Sequence, residues 1–313
     1  MPSTLEVAVG IFQVLVIMAL APLVTGLIRK TKARTQKRIG ASVFQPYYDI
    51  VKLLHKDEVI SDQSSWLFRL APWVNFVSIG AAAFFIPVFL TSSPFGLVGD
   101  LLLVMGLFAL ARFFIMLAGL DVSSAFGGLG SSREMMISSL LEPATFLAIF
   151  VVAITYGGTN LSTLVAAAST SQLLPHPQLI FAAIAMFVVI LGETGRLPFG
   201  NHATHLELTM MHEAMVLEYS GKSLALVEWS QSIKQLVLYA LIVNIFVPWG
   251  ISSSIMPVTL GIGLLAFVVK VSMFAISVAF LESSIAKWRL FRLPDLIAIA
   301  IASSMIGLVF CYL

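Results

Sequence analysis

Eight stretches of this chain, at approximately 5–28, 70–91, 97–118, 134–156, 178–195, 233–252, 257–281 and 294–312, are apolar for long enough to cross a membrane. A bilayer core needs about 20 such residues in helical form. Few other folds are open to a chain built this way, and the expectation is an all-α, polytopic membrane helix bundle over 1–313, one integral membrane domain. Composition agrees: 59% of residues are hydrophobic and 11% charged, against about 25% charged in soluble domains.

The cations orient the bundle. Arg29, Lys30, Lys32, Arg34, Lys37, Arg38, Lys52, Lys56 and Arg69 lie between the first and second spans, and Arg133 between the third and fourth. Arg196 and Lys222 lie between the fifth and sixth, with Lys234 at the start of the sixth; Lys287, Arg289 and Arg292 precede the eighth. The remaining connections, 92–96, 157–177 and 253–256, hold no Lys or Arg. Basic loops belong on the cytoplasmic side. With an even span count, both termini are expected outside the cytoplasmic membrane of a bacterial or archaeal cell. Glu6 precedes the first run and no small-residue cleavage site follows, so that run is expected to be a retained helix.

The first basic loop, 29–69, has two parts. Arg29 to Arg38 is a polybasic run beside a span, suited to anionic lipid. Beyond it, Ile50, Leu53 and Leu54 share a helical stripe from which Lys52 and Lys56 are displaced, which predicts a short amphipathic interfacial helix with Pro46 in its first turn.

Several ionisable residues fall inside spans, where charge is costly and marks function or pairing. Arg112 lies deep in the third, and Glu142, followed by Pro143, lies in the fourth. Lys270 sits mid-window in the seventh, which Glu282 follows; a carboxylate partner or desolvation is expected at Lys270, with Glu282 too far along the helix to serve. Between the third and fourth spans, the glycines and serines of 119–134 predict irregular backbone.

The densest polar segment is 193–221. It holds Glu193, Glu207, Glu213 and Glu218, four of the sixteen carboxylates, and His202, His205 and His212, three of the five histidines. A zinc hydrolase would need a second histidine four residues after His212, and Ala-Met-Val-Leu follows Glu213 instead. The one cysteine, Cys311, excludes an intrachain disulfide or a cysteine cluster ligand set. The GGLG run lacks the P-loop lysine and Rossmann spacing, and no nucleic-acid partner is expected.

These residues carry a resemblance. Glu193-Thr-Gly-Arg-Leu-Pro-Phe with Glu207-Leu and Glu218-Tyr-Ser-Gly is similar to the signature loop of the respiratory complex I subunit 1 family, a membrane component of NADH-quinone oxidoreductase. Arg38-Ile-Gly, Phe44-Gln-Pro, Asp49, Lys52-Leu-Leu and Arg69-Leu-Ala-Pro72 resemble its first loop. Gly119-Leu-Asp121, Gly130-Ser-Ser-Arg133-Glu134, Glu142-Pro143, Ser232-Ile-Lys-Gln235 and Pro248-Trp-Gly250 look most like formate hydrogenlyase and other group 4 energy-converting [NiFe] hydrogenases.

The resemblance implies a non-catalytic subunit with no cofactor of its own. Fe–S clusters, with [NiFe] or a quinone site, would belong to a hydrogenase-like large subunit and an Fe–S small subunit docked on the cytoplasmic side, and antiporter-like membrane subunits would lie alongside. It implies a proton path through Glu142, Glu193, Glu207, Glu213 and Glu218, with Asp121, His205, His212, Lys270 and Glu282 as further members. Arg112, Arg133 and Arg196 would be charge partners, and Arg34, Arg38, Asp49 and Lys52 docking residues. Gly200, Ala203 and His205 stand where the family usually has acids, so quinone binding stays open and imidazole could carry protons there. Two rival readings remain: a quinone-reducing relative, and a stand-alone secondary transporter, against which the absence of an internal repeat counts.

Overall fold

The computed structural model describes residues 4–88, 90–91, 99–170, 176–200, 211–252, 256–286, 288 and 290–313. Among these residues eight long helices make up the bundle: α1 (Thr4–Thr35), α3 (Trp66–Phe85), α4 (Leu101–Asp121), α5 (Ala125–Tyr156), α7 (Pro177–Glu193), α9 (Gly221–Phe246), α10 (Pro257–Ser284) and α11 (Leu293–Tyr312). Three short ones sit in the connections: α2 (Gln45–Leu54), α6 (Leu161–Thr170) and α8 (His212–Val216). A 3-10 turn, Leu290–Arg292, leads into α11. Each expected apolar window falls on a helix, and the chain is an all-α membrane bundle.

Six of these helices, α1, α3, α4, α5, α10 and α11, are long and apolar enough to cross a membrane by themselves. The other two depart from the expectation for different reasons. At 17 residues α7 is only about 25 Å long, and it continues directly into the polar loop. Helix α9 is long enough at 26 residues but carries Lys234, Gln235 and Asn244. It tolerates them because it meets protein instead of lipid: every residue from Ser232 to Phe246 is buried.

Around α9 pack α1, α3, α7 and α10, while α5 and α11 close the far side against α7. Polar ties fix the register. Asn75 on α3 donates to Ser230 Oγ at 3.0 Å, and Trp229 Nε1 donates to the Met18 carbonyl of α1 at 3.1 Å. Ser303 of α11 donates to the Phe181 carbonyl of α7 at 2.8 Å.

At the cation-free end, Leu101 N and Leu161 N donate to the Thr159 and Gly99 carbonyls and fasten α6 over the start of α4. At the basic end, α2 starts with Pro46 in its first turn and buries Pro46 and Ile50; of the expected stripe, Leu53 is half-buried and Leu54 exposed. Its opposite face leaves Phe44, Tyr48 and Val51 exposed.

The 119–134 segment is not the irregular stretch its glycines predict. Only Val122, Ser123 and Ser124 separate α4 from α5. The glycines are helical, and Gly119, Gly127 and Gly130 serve close packing. A Cβ on Gly130 would lie 2.8 Å from Ala214 Cβ and 2.9 Å from the Met211 carbonyl, so glycine lets α8 rest directly on α5.

Candidate functional site

The geometry starts at the end of α7. Gly195, at φ +60°, turns the chain back in a left-handed cap. Arg196 N donates to the Leu191 carbonyl at 2.9 Å and Gly195 N to the Gly192 carbonyl at 3.0 Å. This reversal sends Glu193 and Arg196 to opposite sides of α9. Gly200 packs back on the same turn, where a Cβ would come within 2.4 Å of the Gly195 carbonyl oxygen. A side chain at this position, acidic or otherwise, would need the loop to move.

On one side, four helices contribute one charge each. Arg112 of α4 donates to Glu193 of α7 and lies 3.4 Å from Glu142 of α5. The second Glu193 oxygen lies 2.8 Å from Lys234 Nζ of α9. The Lys234 ammonium also sits 5.9 Å from the centre of the Phe108 ring, within cation–π range. Two cations balance two carboxylates, which is the condition for keeping such groups out of water. The Arg112, Glu193 and Lys234 side chains are at most 10% exposed, whereas Glu142 is 43% exposed. The sequence poses Glu142 as a buried acid or a relay; it sits at the surface of the bundle, between α4 and α5.

On the other side, Arg196 donates to Gln235 Oε1 at 2.8 Å and to Glu282 Oε1 at 3.4 Å. Lys32 of α1 holds the second Glu282 oxygen at 3.3 Å. Gln235 Nε2 donates to Tyr239 Oη at 2.9 Å, extending the polar line along α9.

Three spaces adjoin these groups. A cleft of about 690 Å³ at the basic end is lined by Lys32, Arg38, Arg196, Glu228 and Glu282, among others. A cavity of about 40 Å³ meets Arg112, Glu134, Glu193, His212, Glu213 and Lys234. One of about 90 Å³ meets Arg112, Glu142 and Glu193. Gly200 and Gln231 line both the cleft and the first cavity, and Phe108, Arg112 and Glu193 line both cavities. Water-sized spaces beside fixed charges therefore form a series from the basic end to Glu142.

The other expected site residues are scattered. Asp121 accepts from Ser65 N at 2.7 Å at the start of α3, apart from both networks. Glu218 is exposed, and Arg133 is half-buried on α5. Lys270 has no carboxylate partner among the described residues, contrary to one expectation. It donates to Asn244 Oδ1 at 3.4 Å and the Val247 carbonyl at 3.2 Å, near the end of α9 remote from Lys234. Asp49 accepts from Gln45 at 2.8 Å, and Arg34 and Lys52 are exposed. His202, His205 and Glu207 lie outside the described residues. Among the described residues no group of three or more His, Cys, Asp or Glu is placed to hold a metal ion.

Lys32, Lys234 and Gln235 are not among the site residues that the sequence points to. Lys234 does carry a readable signal, a cation beside an apolar window, but the window puts it at the start of a span; α9 begins thirteen residues before it.

Outside the membrane-spanning helices, Tyr219 has a strongly displaced titration. Burial raises its phenol above the ordinary value, and the charges of Asp121 and Glu58 add to the effect. The neutral hydroxyl donates to the Phe68 carbonyl at 3.0 Å, and the two rings stack at 4.1 Å.

Fold and site together define a polytopic membrane bundle threaded by paired charges. The chain belongs to the NADH dehydrogenase family, whose model matches residues 7–312. It is 36% identical over 286 residues to formate hydrogenlyase subunit 4 of Escherichia coli (strain K12), covering 91% of this chain and 92% of that one. To hydrogenase-4 component C of the same organism it is 35% identical over 280 residues, covering 88% and 87%. A subunit of the NADH-quinone oxidoreductase of Rickettsia prowazekii (strain Madrid E) is 30% identical over 209 residues, covering 65% of this chain and 60% of the relative. Among solved structures, a chain of the membrane-bound sulfane sulfur reductase, an archaeal respiratory membrane complex, superposes with a TM-score of 0.82 at 21% identity, covering 96% of this chain and 99% of that one.

Proposed function

We propose that this chain is the proton-pathway and docking subunit of a multisubunit, redox-driven, ion-translocating complex of the formate-hydrogenlyase type. One observation carries the reading: the series of cavities bordered by Arg196, Glu193, Arg112 and Glu142. A carboxylate held between two cations changes its proton affinity when either cation moves, and in a low-dielectric interior such coupling amounts to several kcal/mol. Charge displaced at the basic end would pass through Glu282, Arg196 and α9 to Glu193, and from there to Glu142 at the bundle surface.

In this reading Glu142, Glu193 and Glu282 relay charge, with Glu134, His212 and Glu213 feeding the first cavity. Arg112, Lys234 and Arg196 are the counter-charges. Arg34 and Lys52 face the soluble arm, which supplies the Fe–S clusters and, in a hydrogenase-type complex, the [NiFe] centre. Antiporter-like subunits lie beside α4 and α5. Relatedness to formate hydrogenlyase subunit 4 and hydrogenase-4 component C supports this assembly.

The test is ion uptake by vesicles containing the whole complex. Glu193→Gln and Glu142→Gln should leave the arm bound while ion uptake per electron falls. Unchanged coupling in both variants overturns the pathway; an arm that stays bound to an Arg34→Glu/Lys52→Glu variant overturns the docking assignment.

A further inference from the structure

The 690 Å³ cleft is far larger than a proton path requires, and its walls describe a different guest. Four cations line it, Arg29, Lys32, Arg38 and Arg196, against two carboxylates, Glu228 and Glu282. Glu282 is already occupied by Lys32 and Arg196. Arg29 and Arg38 make no ion pair among the described residues. Arg196 is only 8% exposed, and its Nε finds no hydrogen-bond partner among the described residues. A buried, unmatched guanidinium N–H beside a cationic cleft calls for an anionic acceptor.

The remaining wall decides what kind of anion. Ala33, Ile39 and Ala41 are apolar and line the same cleft. The adjoining interfacial helix α2 turns Phe44, Tyr48 and Val51 outward, the habit of an element seated among headgroups. Inorganic phosphate has no use for apolar walls, and a neutral headgroup has no use for the cations. We propose that the cleft is the headgroup site of an anionic phospholipid, its phosphate diester held by Arg29, Arg38 and Arg196 and its glycerol ester region against Ala33 and Ile39. The proposal does not depend on the proton-path reading and has its own readout. An occupant so placed bears on Arg196, and through Gln235 on α9.

The experiment uses the whole complex, reconstituted in nanodiscs of phosphatidylglycerol mixed with phosphatidylcholine, then re-extracted in detergent, with the retained lipid identified by mass spectrometry. Phosphatidylglycerol should be retained selectively. In Arg29→Gln and Arg38→Gln variants its retention should fall about fivefold for each cation removed, while Lys222→Gln, at the exposed start of α9, should retain it fully. A photo-crosslinking residue at Ile39, which leaves every charge in place, should label phospholipid. Equal retention of phosphatidylcholine, or undiminished retention in the Arg29→Gln/Arg38→Gln double variant, overturns the site. So does an Ile39 adduct with a quinone or with a segment of a partner protein. Saturating inorganic phosphate should not displace the lipid; full displacement would reduce the site to a phosphate pocket and overturn the lipid assignment.

Discussion

Lys234 and Gln235 are neighbours on α9 that serve different charge networks, the ammonium 2.8 Å from Glu193 and the amide oxygen 2.8 Å from Arg196. Successive residues on a helix point about 100° apart, so a single peptide unit links the Glu142 side of the bundle to the Glu282 side.

Charge balance in the first network is directly measurable. Lys234→Met leaves Glu193 and Glu142 facing Arg112 alone, and should cost about 3 kcal/mol as a broken buried pair. Adding Glu193→Gln removes the surplus negative charge and should recover most of the loss. Thermal unfolding of the two single variants and the double variant in detergent decides it; additive losses would show that the pair is not coupled.

The contact of α8 with α5 depends on a missing methyl group. Gly130→Ala meets Ala214 Cβ at 2.8 Å and should destabilise by about 1–3 kcal/mol through overpacking. Gly128, two residues earlier, would have nothing within 4 Å of an added Cβ. Gly128→Ala should therefore be neutral or gain up to about 1 kcal/mol of helix propensity. Proteolytic accessibility of α8 should rise in the first variant alone.

At the other end of α9, Asn244 is the hub and Lys270 a spoke. Asn244 Nδ2 donates to the Pro87 and Val88 carbonyls at 2.7 and 3.1 Å, while its oxygen accepts from Lys270. Asn244→Leu orphans these groups and should cost about 1–3 kcal/mol. Lys270→Met removes a buried charge that has no carboxylate beside it among the described residues, and should cost less than about 1 kcal/mol. If the order is reversed in melting experiments, the ammonium is the structural centre of this end.

Tyr219 predicts an alkaline limb in the stability profile. Its folded-state pKa is raised above the ordinary 10.0 by burial and by Asp121 and Glu58. The neutral phenol therefore contributes fully below pH 10 and loses its contribution as pH climbs past 10 toward the folded value. Tyr219→Phe should be less stable than the parent at pH 8 and should lose less stability between pH 10 and 11, read from unfolding midpoints at each pH.

Much of the frame is readable because lipid imposes length and polarity on each span separately. The windows at 70–91 and 257–281 announce α3 and α10 with no knowledge of neighbours, and Pro46 with Ile50 announces α2. The charge networks are not readable, since their members are far apart in sequence and meet only through packing; Arg112 and Glu193 are 81 residues apart. Arg112 is visible as a charge in need of a partner, yet nothing local names Glu193. Hydropathy puts Lys234 at the start of a span because it finds where lipid can begin, and α9 touches little lipid. Gly130 misleads for the converse reason. Gly is a breaker in an isolated helix and an asset where α8 must lie within van der Waals reach of α5.

The enclosure of α9 also bears on how the chain is made. A segment bearing Lys234, Gln235 and Asn244 partitions poorly from water into hydrocarbon by itself. During synthesis it emerges after α1, α3 and α7, which with their adjoining turns supply partners such as Glu193 for Lys234 and the Pro87 and Val88 carbonyls for Asn244. Its insertion is then a docking event against helices already in the bilayer, and faults in α1 or α3 would surface first as a failure of α9 to enter.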